Sequence, residues 1–154
     1  MTPCSEQLLP GELVKAQRIS RNGGPRYLIP FFSSRVQAGF PSPATDYVER
    51  VCDLNDLCIT NPEATYFVRA AGDSMIGDRI ESGDILIVDS SYDHVDGRIA
   101  VVSLNGDNLV KRIRLAGEMV VLLSSNDKYD PIYVHKGESF RVFGVVTWVI
   151  QKPR

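Results

Sequence analysis

From Thr65 to Ile150 the apolar residues arrive in short runs, each ended by a break built on glycine, asparagine or aspartate, and this rhythm restricts the chain to sheet. The runs cover residues 65–70, 84–89, 98–104, 108–115, 119–124 and 140–150. Between them stand Gly83-Asp84, Asp96-Gly97, Asn105-Gly106-Asp107 and Ala116-Gly117-Glu118. The runs are rich in Val, Ile, Leu, Thr and Tyr, and no long stretch repeats at helical spacing. Asn105-Gly106 predicts a two-residue hairpin, because the turn that suits twisted strands needs a positive φ at both central positions. The expectation is a mainly β, mostly antiparallel domain from about residue 40 to the end, with no internal repeat.

The chain ahead of that domain reads differently. Residues 1–26 hold Pro3, Pro10, Gly11, Gly23, Gly24 and Pro25 among polar and basic residues, which predicts a mobile arm. Leu8-Leu9 and Leu13-Val14 support a helical turn but not a core. Residues 27–32 turn apolar, although Pro30 excludes a central strand there. Next come Ala38 and Gly39, small residues flanked by Val36 and Phe40, with Pro41 biasing Phe40 toward an extended backbone. A peptidase pocket for small side chains can read this segment, although on local evidence alone a plain linker is the favoured reading. Residues 44–57 predict a helix capped by Asp46, with Tyr47, Val48, Val51 and Leu54 at helical spacing.

Charge and cysteine usage exclude several functions. A net charge of −2 and a pI near 5.7 lack the basic footprint of a protein that grips DNA by its phosphates, so no direct sequence-specific DNA binding is expected. No apolar run approaches the roughly 18–20 residues that span a bilayer, and the N-terminus lacks the features of a secretory signal. Cys4, Cys52 and Cys58 show no metal-ligand spacing with one another or with His94 and His135. Reduced thiols in a cytoplasm fit, and neither metal nor cofactor is expected.

Two residues invite chemistry. Ser74 lies in Ala71-Gly72-Asp73-Ser74-Met75, a turn at the end of a strand run, where a hydroxyl can be presented as a nucleophile. Gly-Asp-Ser is also an ordinary turn sequence. On the run of residues 108–115, alternation places Leu109, Lys111, Ile113 and Leu115 on one face and Val110, Arg112 and Arg114 on the other. Lys111 thus sits in the middle of an apolar face. A desolvated lysine loses its proton more readily and becomes a general base for a serine without any histidine. The same placement suits a lysine that snorkels to water or pairs with Asp84 or Asp89. His94 and His135 sit in polar turns and are not expected to build a triad.

Gly72-Asp73-Ser74-Met75, Ile80-Glu81-Ser82-Gly83-Asp84 and Lys111 in its Val-Lys-Arg setting together resemble the LexA-like Ser/Lys autopeptidase family. Within it the chain is most similar to UmuD/MucA-type SOS mutagenesis proteins, through residues 39–49, Ala64-Thr65-Tyr66-Phe67-Val68 and Phe143-Gly144-Val145-Val146. The resemblance runs from about Pro30 to the end; the arm before residue 27 looks longer than the type, and Ala38 stands where some members have cysteine. It implies a LexA/signal-peptidase-like β-clip catalytic domain over residues 39–154 behind an arm of residues 1–38. It further implies Ser74 as nucleophile, Lys111 as general base and the bond between Ala38 and Gly39 as the one cut.

The implied partners are a RecA filament on single-stranded DNA, which stimulates cleavage, a second copy of the chain, and a Y-family polymerase that the processed homodimer assists in translesion synthesis. Rival readings are a LexA- or phage-type repressor and a cleavage-dead dimerisation scaffold. The first needs a helix-turn-helix domain, for which the residues before the implied cut are too few and too interrupted. The second keeps every motif.

Overall fold

The computed structural model describes residues 27–32 and 48–153. The expectations for residues 1–26, for Cys4 and for the Asp46 cap lie outside that range, as does the boundary at residue 38. The chain groups into two compact units, with described residues 27–32 and 48–60 in one and 61–153 in the other.

In the smaller unit, β1 (Ile29–Phe32) pairs antiparallel with β2 (Val48–Cys52), from Ile29 opposite Cys52 to Phe32 opposite Val48. Pro30 is tolerated because a two-stranded sheet has only edge strands. Arg50 lies over the Phe31 ring, 5.3 Å from its centroid. The helix expected across residues 44–57 is corrected here. Residues 48–52 form a strand, and among the described residues of this stretch only α1 (Leu54–Cys58) is helical. The spacing of Val48 and Val51 fits a helix, but β-branched residues also suit a strand, and pairing with β1 decides between them. Asp53 is the N-cap, its carboxylate accepting from the Asn55 backbone N–H at 2.8 Å and from the Tyr27 N–H at 3.0 Å.

The larger unit is one seven-stranded antiparallel sheet. Its strands are β3 (Thr65–Arg69), β4 (Ile85–Asp89), β5 (Ile99–Leu104), β6 (Asp107–Ala116), β7 (Met119–Leu123), β8 (Ile132–Val134) and β9 (Phe140–Ile150). They lie in the order β3-β4-β9-β5-β6-β7-β8. The mainly β expectation therefore holds, and six of the seven strands coincide with the apolar runs to within two residues. β8 was not anticipated.

Strands β5 to β8 form a meander of sequential hairpins, and the long last strand inserts between β4 and β5. Asn105 and Gly106 have φ of 52° and 93° and join β5 to β6, as their dipeptide requires. β9 shifts register against Ile87/Val88 and again against Val101/Val102. At the second shift Gly144, the partner of Val101, brings its backbone so close to β4 that an added Cβ would stand 2.8 Å from the Asp89 carbonyl oxygen.

Alternation along β5 divides the core. Val101 joins Ala70, Met75, Ile80, Leu86 and Val88, whereas Ala100 and Val102 join Ile113 and Leu122. Each fully buried leucine or isoleucine contributes about 1.5–3 kcal/mol relative to exposure. These clusters hold the strands and turn that carry Ser74 and Lys111.

Candidate active site

Ser74 follows β3 on a turn that the backbone pins at both ends. The Ala70 N–H donates to the Asp84 carbonyl at 2.8 Å, and the Gly83 N–H donates to the Ala70 carbonyl at 2.9 Å. Gly72 then takes a φ of +81°, a left-handed conformation that glycine adopts without steric cost. Beyond the serine, Met75 and Ile80 are each 3% exposed, and a short 3₁₀ turn (Ile76–Asp78) runs between them. Two apolar anchors thus hold the segment while Ser74 stays half-buried. Its hydroxyl and its N–H have no hydrogen-bond partner among the described residues.

Lys111 comes from the middle of β6, opposite Ala100 of β5. It is 5% exposed, flanked on its own face by Leu109 and by the fully buried Ile113. Burial holds its pKa below the usual 10.5, since a low-dielectric site penalises the ammonium. The snorkelling alternative is not what the structure shows. Nor does Lys111 meet a carboxylate: among the described residues it makes no ion pair. Asp89 instead accepts from Ser91, and Asp84 accepts from the Glu81 N–H and from Gln151. The Lys111 Nζ lies 2.8 Å from Ser124 Oγ, as donor, and 5.4 Å from the centroid of the Tyr129 ring.

Ser74 and Lys111 line one cleft, with Ala70, Met75, Ile80, Val101 and Val110 among its walls. The two residues singled out in the sequence are therefore brought to the same opening. Ala38 and Gly39 lie outside the described residues. His94 and His135 are exposed, each outside any strand. Among the described residues no three His, Cys, Asp or Glu side chains gather to hold a metal ion, and no helix is long and apolar enough to cross a membrane. Cys52 and Cys58 are free thiols.

The segment after β7 was missed, and it clamps the serine turn. The Ser125 N–H donates to the Ser74 carbonyl at 2.8 Å, and the Ser125 carbonyl accepts the Gly77 N–H at 2.7 Å. Asn126 Nδ2 donates to the Asp73 carbonyl at 2.8 Å, and the Tyr129 hydroxyl donates to the Asp73 carboxylate. That bond, more than Lys128 4.0 Å away, holds the Asp73 carboxyl below its ordinary pKa and pushes the Tyr129 phenol up. In sequence, Ser124-Ser125-Asn126 looks only like a polar break. Ser125 and Asn126 find their partners about fifty residues away, where no local pattern can point. On the far side of the 3₁₀ turn, Asp78 is held by Arg112 at 2.8 Å, and Arg112 also donates to the Gly97 carbonyl.

Residues 30–147 match the family model described as Peptidase S24-like. The chain is 40% identical to Protein ImpA of Salmonella typhimurium over 134 residues, covering 86% of this chain and 90% of that protein. It is 44% identical to Protein SamA of the same species, covering 81% and 86%, and 39% identical to Protein MucA of Escherichia coli, covering 77% and 82%. A LexA repressor of Anaeromyxobacter dehalogenans is 35% identical, with 77% of this chain covering 53% of the repressor.

Proposed function

The chain belongs to the peptidase S24-like family, among its UmuD/MucA-type members, and from that premise we propose that it is a serine peptidase that cuts its own Ala38-Gly39 bond with Ser74 and Lys111. The observation that carries the reading is the cleft itself. It joins a serine presented on a glycine turn to a buried lysine with no ion-pair partner among the described residues.

The chemistry follows from those properties. Neutral Lys111 accepts the Ser74 proton as Oγ bonds to the Ala38 carbonyl carbon. The tetrahedral oxyanion forms next to the serine turn, where the Ser74 N–H, unengaged among the described residues, is a candidate donor. The lysine then passes the proton to the Gly39 nitrogen, the peptide bond breaks, and an acyl-enzyme remains on Ser74. Water, deprotonated by Lys111, attacks the acyl carbon, and the bond to Ser74 Oγ breaks as Oγ takes the proton back from the lysine, releasing the arm of residues 1–38. Apolar walls that include Ala70 beside the serine suit small residues on either side of the bond.

A RecA filament on single-stranded DNA acts in this reading by raising the population in which the 38–39 segment occupies the cleft. The product, residues 39–154, works in the cytoplasm as a homodimer that assists a Y-family polymerase in SOS mutagenesis. Sequence identity favours this over a repressor: 40% with ImpA and 44% with SamA against 35% with the LexA repressor. Intact-mass analysis of the full chain after incubation with RecA filament, or at alkaline pH, should show one cut after Ala38. Ser74→Ala and Lys111→Ala should each lower the rate by about 10⁴-fold or more while the protein stays folded. Retained cleavage in either variant would remove the dyad, and no cleavage in the unaltered chain would leave a dimerisation scaffold.

A further inference from the structure

A lysine on four flexible methylenes is a poor base unless something fixes where its nitrogen points. A neutral amine has two N–H groups and one lone pair, so an acceptor for an N–H constrains the direction of the lone pair. Among the described residues the hydrogen-bond partner of Lys111 Nζ is one hydroxyl, Ser124 Oγ, at 2.8 Å. Resting on the dyad reading above, we propose that Ser124 is the positioning residue of Lys111, holding the amine so that its lone pair is delivered to Ser74.

Two observations support this role. Ser124 does not line the cleft that Ser74 and Lys111 share, so it holds the amine from outside the space where a scissile carbonyl must stand. That also separates it from a nucleophile, although it is the serine in hydrogen-bond contact with the lysine. The next two residues engage the other half of the dyad: the Ser125 N–H donates to the Ser74 carbonyl, and Asn126 donates to the Asp73 carbonyl. Three consecutive residues just after β7 therefore set base and nucleophile against each other. When Lys111 takes the serine proton, the ammonium has three N–H groups, and Ser124 remains the acceptor of one.

The groups around Nζ that bear on its titration are few. The Tyr129 ring lies 5.4 Å away, Asp73 accepts the Tyr129 hydroxyl, and Arg69 lines the same cleft while donating to the Gly83 carbonyl. The Ser124 hydroxyl, as an acceptor, favours the charged amine. Removing it should depress the lysine pKa further and leave the amine free to turn away.

The test uses the full chain with Ser124→Ala, Ser124→Cys and Ser124→Thr. Self-cleavage is followed against pH by intact mass, and Lys111 is titrated by ¹³C NMR of lysine labelled at Cε in a Ser74→Ala background. Ser124→Ala should lower the plateau rate by about 10- to 100-fold and move both the rate inflection and the NMR titration to lower pH. Ser124→Thr should restore both. Ser124→Cys, which keeps the size and loses the strong acceptor, should behave as Ser124→Ala does and carries the test if the alanine variant does not fold. An unshifted titration in Ser124→Ala, or a threonine variant as impaired as alanine, overturns the proposal. If Ser74→Ala or Lys111→Ala still cuts, the dyad itself has failed, and the NMR titration alone then decides whether Ser124 holds the lysine.

Discussion

Gly77 and Ser125 meet backbone to backbone: the glycine N–H donates to the serine carbonyl at 2.7 Å, and a Cβ on Gly77 would stand 2.6 Å from that oxygen. No side chain fits there without moving one of the two segments. Gly77 is three residues beyond Ser74, so the close approach docks the serine turn onto the end of β7.

Gly77→Ala should therefore separate the turn from that segment. The expected cost is about 1–3 kcal/mol in overpacking, read as a lower urea midpoint with an unchanged m-value. Cleavage should slow more than this loss of stability explains, because the serine moves relative to the lysine. A variant with native midpoint and native rate would show that the contact is dispensable.

Lys111 should make stability depend on pH at the alkaline end. Its folded pKa is lowered from 10.5 by burial, so between the folded value and 10.5 the unfolded chain binds more protons. Stability must then rise with pH across that window, and below it the full cost of the buried ammonium remains. Lys111→Met, which fills the site with an apolar chain, should raise the denaturation midpoint at neutral pH. The gain should shrink as pH approaches 10.5. Equal gains at both pH values would contradict a depressed pKa.

Tyr129→Phe removes the hydroxyl that does most to keep Asp73 acidic. The Asp73 titration, followed by carboxyl NMR, should move up toward 3.8. In the parent chain the lowered carboxyl contributes stability that is present above the unfolded pKa and lost as pH falls through the folded one. That acid-limb loss should be smaller in the variant. Cleavage should slow only modestly, because Asn126 and Ser125 still hold the turn.

What could be read from the residues is what local rules govern. Asn105-Gly106 announces its hairpin because few residues tolerate positive φ twice in succession. Lys111 stands out because a strand of period two leaves no ambiguity about its face, and the structure finds it 5% exposed. Ser74 is legible as a presented hydroxyl because Gly72 marks the turn. The failures lie where distant segments decide. Val48 and Val51 suit a helix as well as a strand, and only β1 settles the matter. The three residues of β8 are too few to show a period. Asn126 acts on Asp73 across 53 residues, whereas Ser124 meets Lys111 one step beyond the paired register of β6 and β7, which shows only once the hairpin is in place.

The pairing of β1 with β2 places Ile29–Phe32 on one side of the proposed cut and Val48–Cys52 on the other. While the chain is whole, those strands face each other at the high effective concentration of a short tether. A cut between Ala38 and Gly39 removes the tether but none of the pairing. The arm then becomes a separate ligand of its former domain, held by a two-stranded ladder that is marginal in water. On the proposed reading, peptide hydrolysis and loss of the arm are distinct events. The first depends on the cleft, and the second on dilution and on whatever competes for the exposed edge of β2.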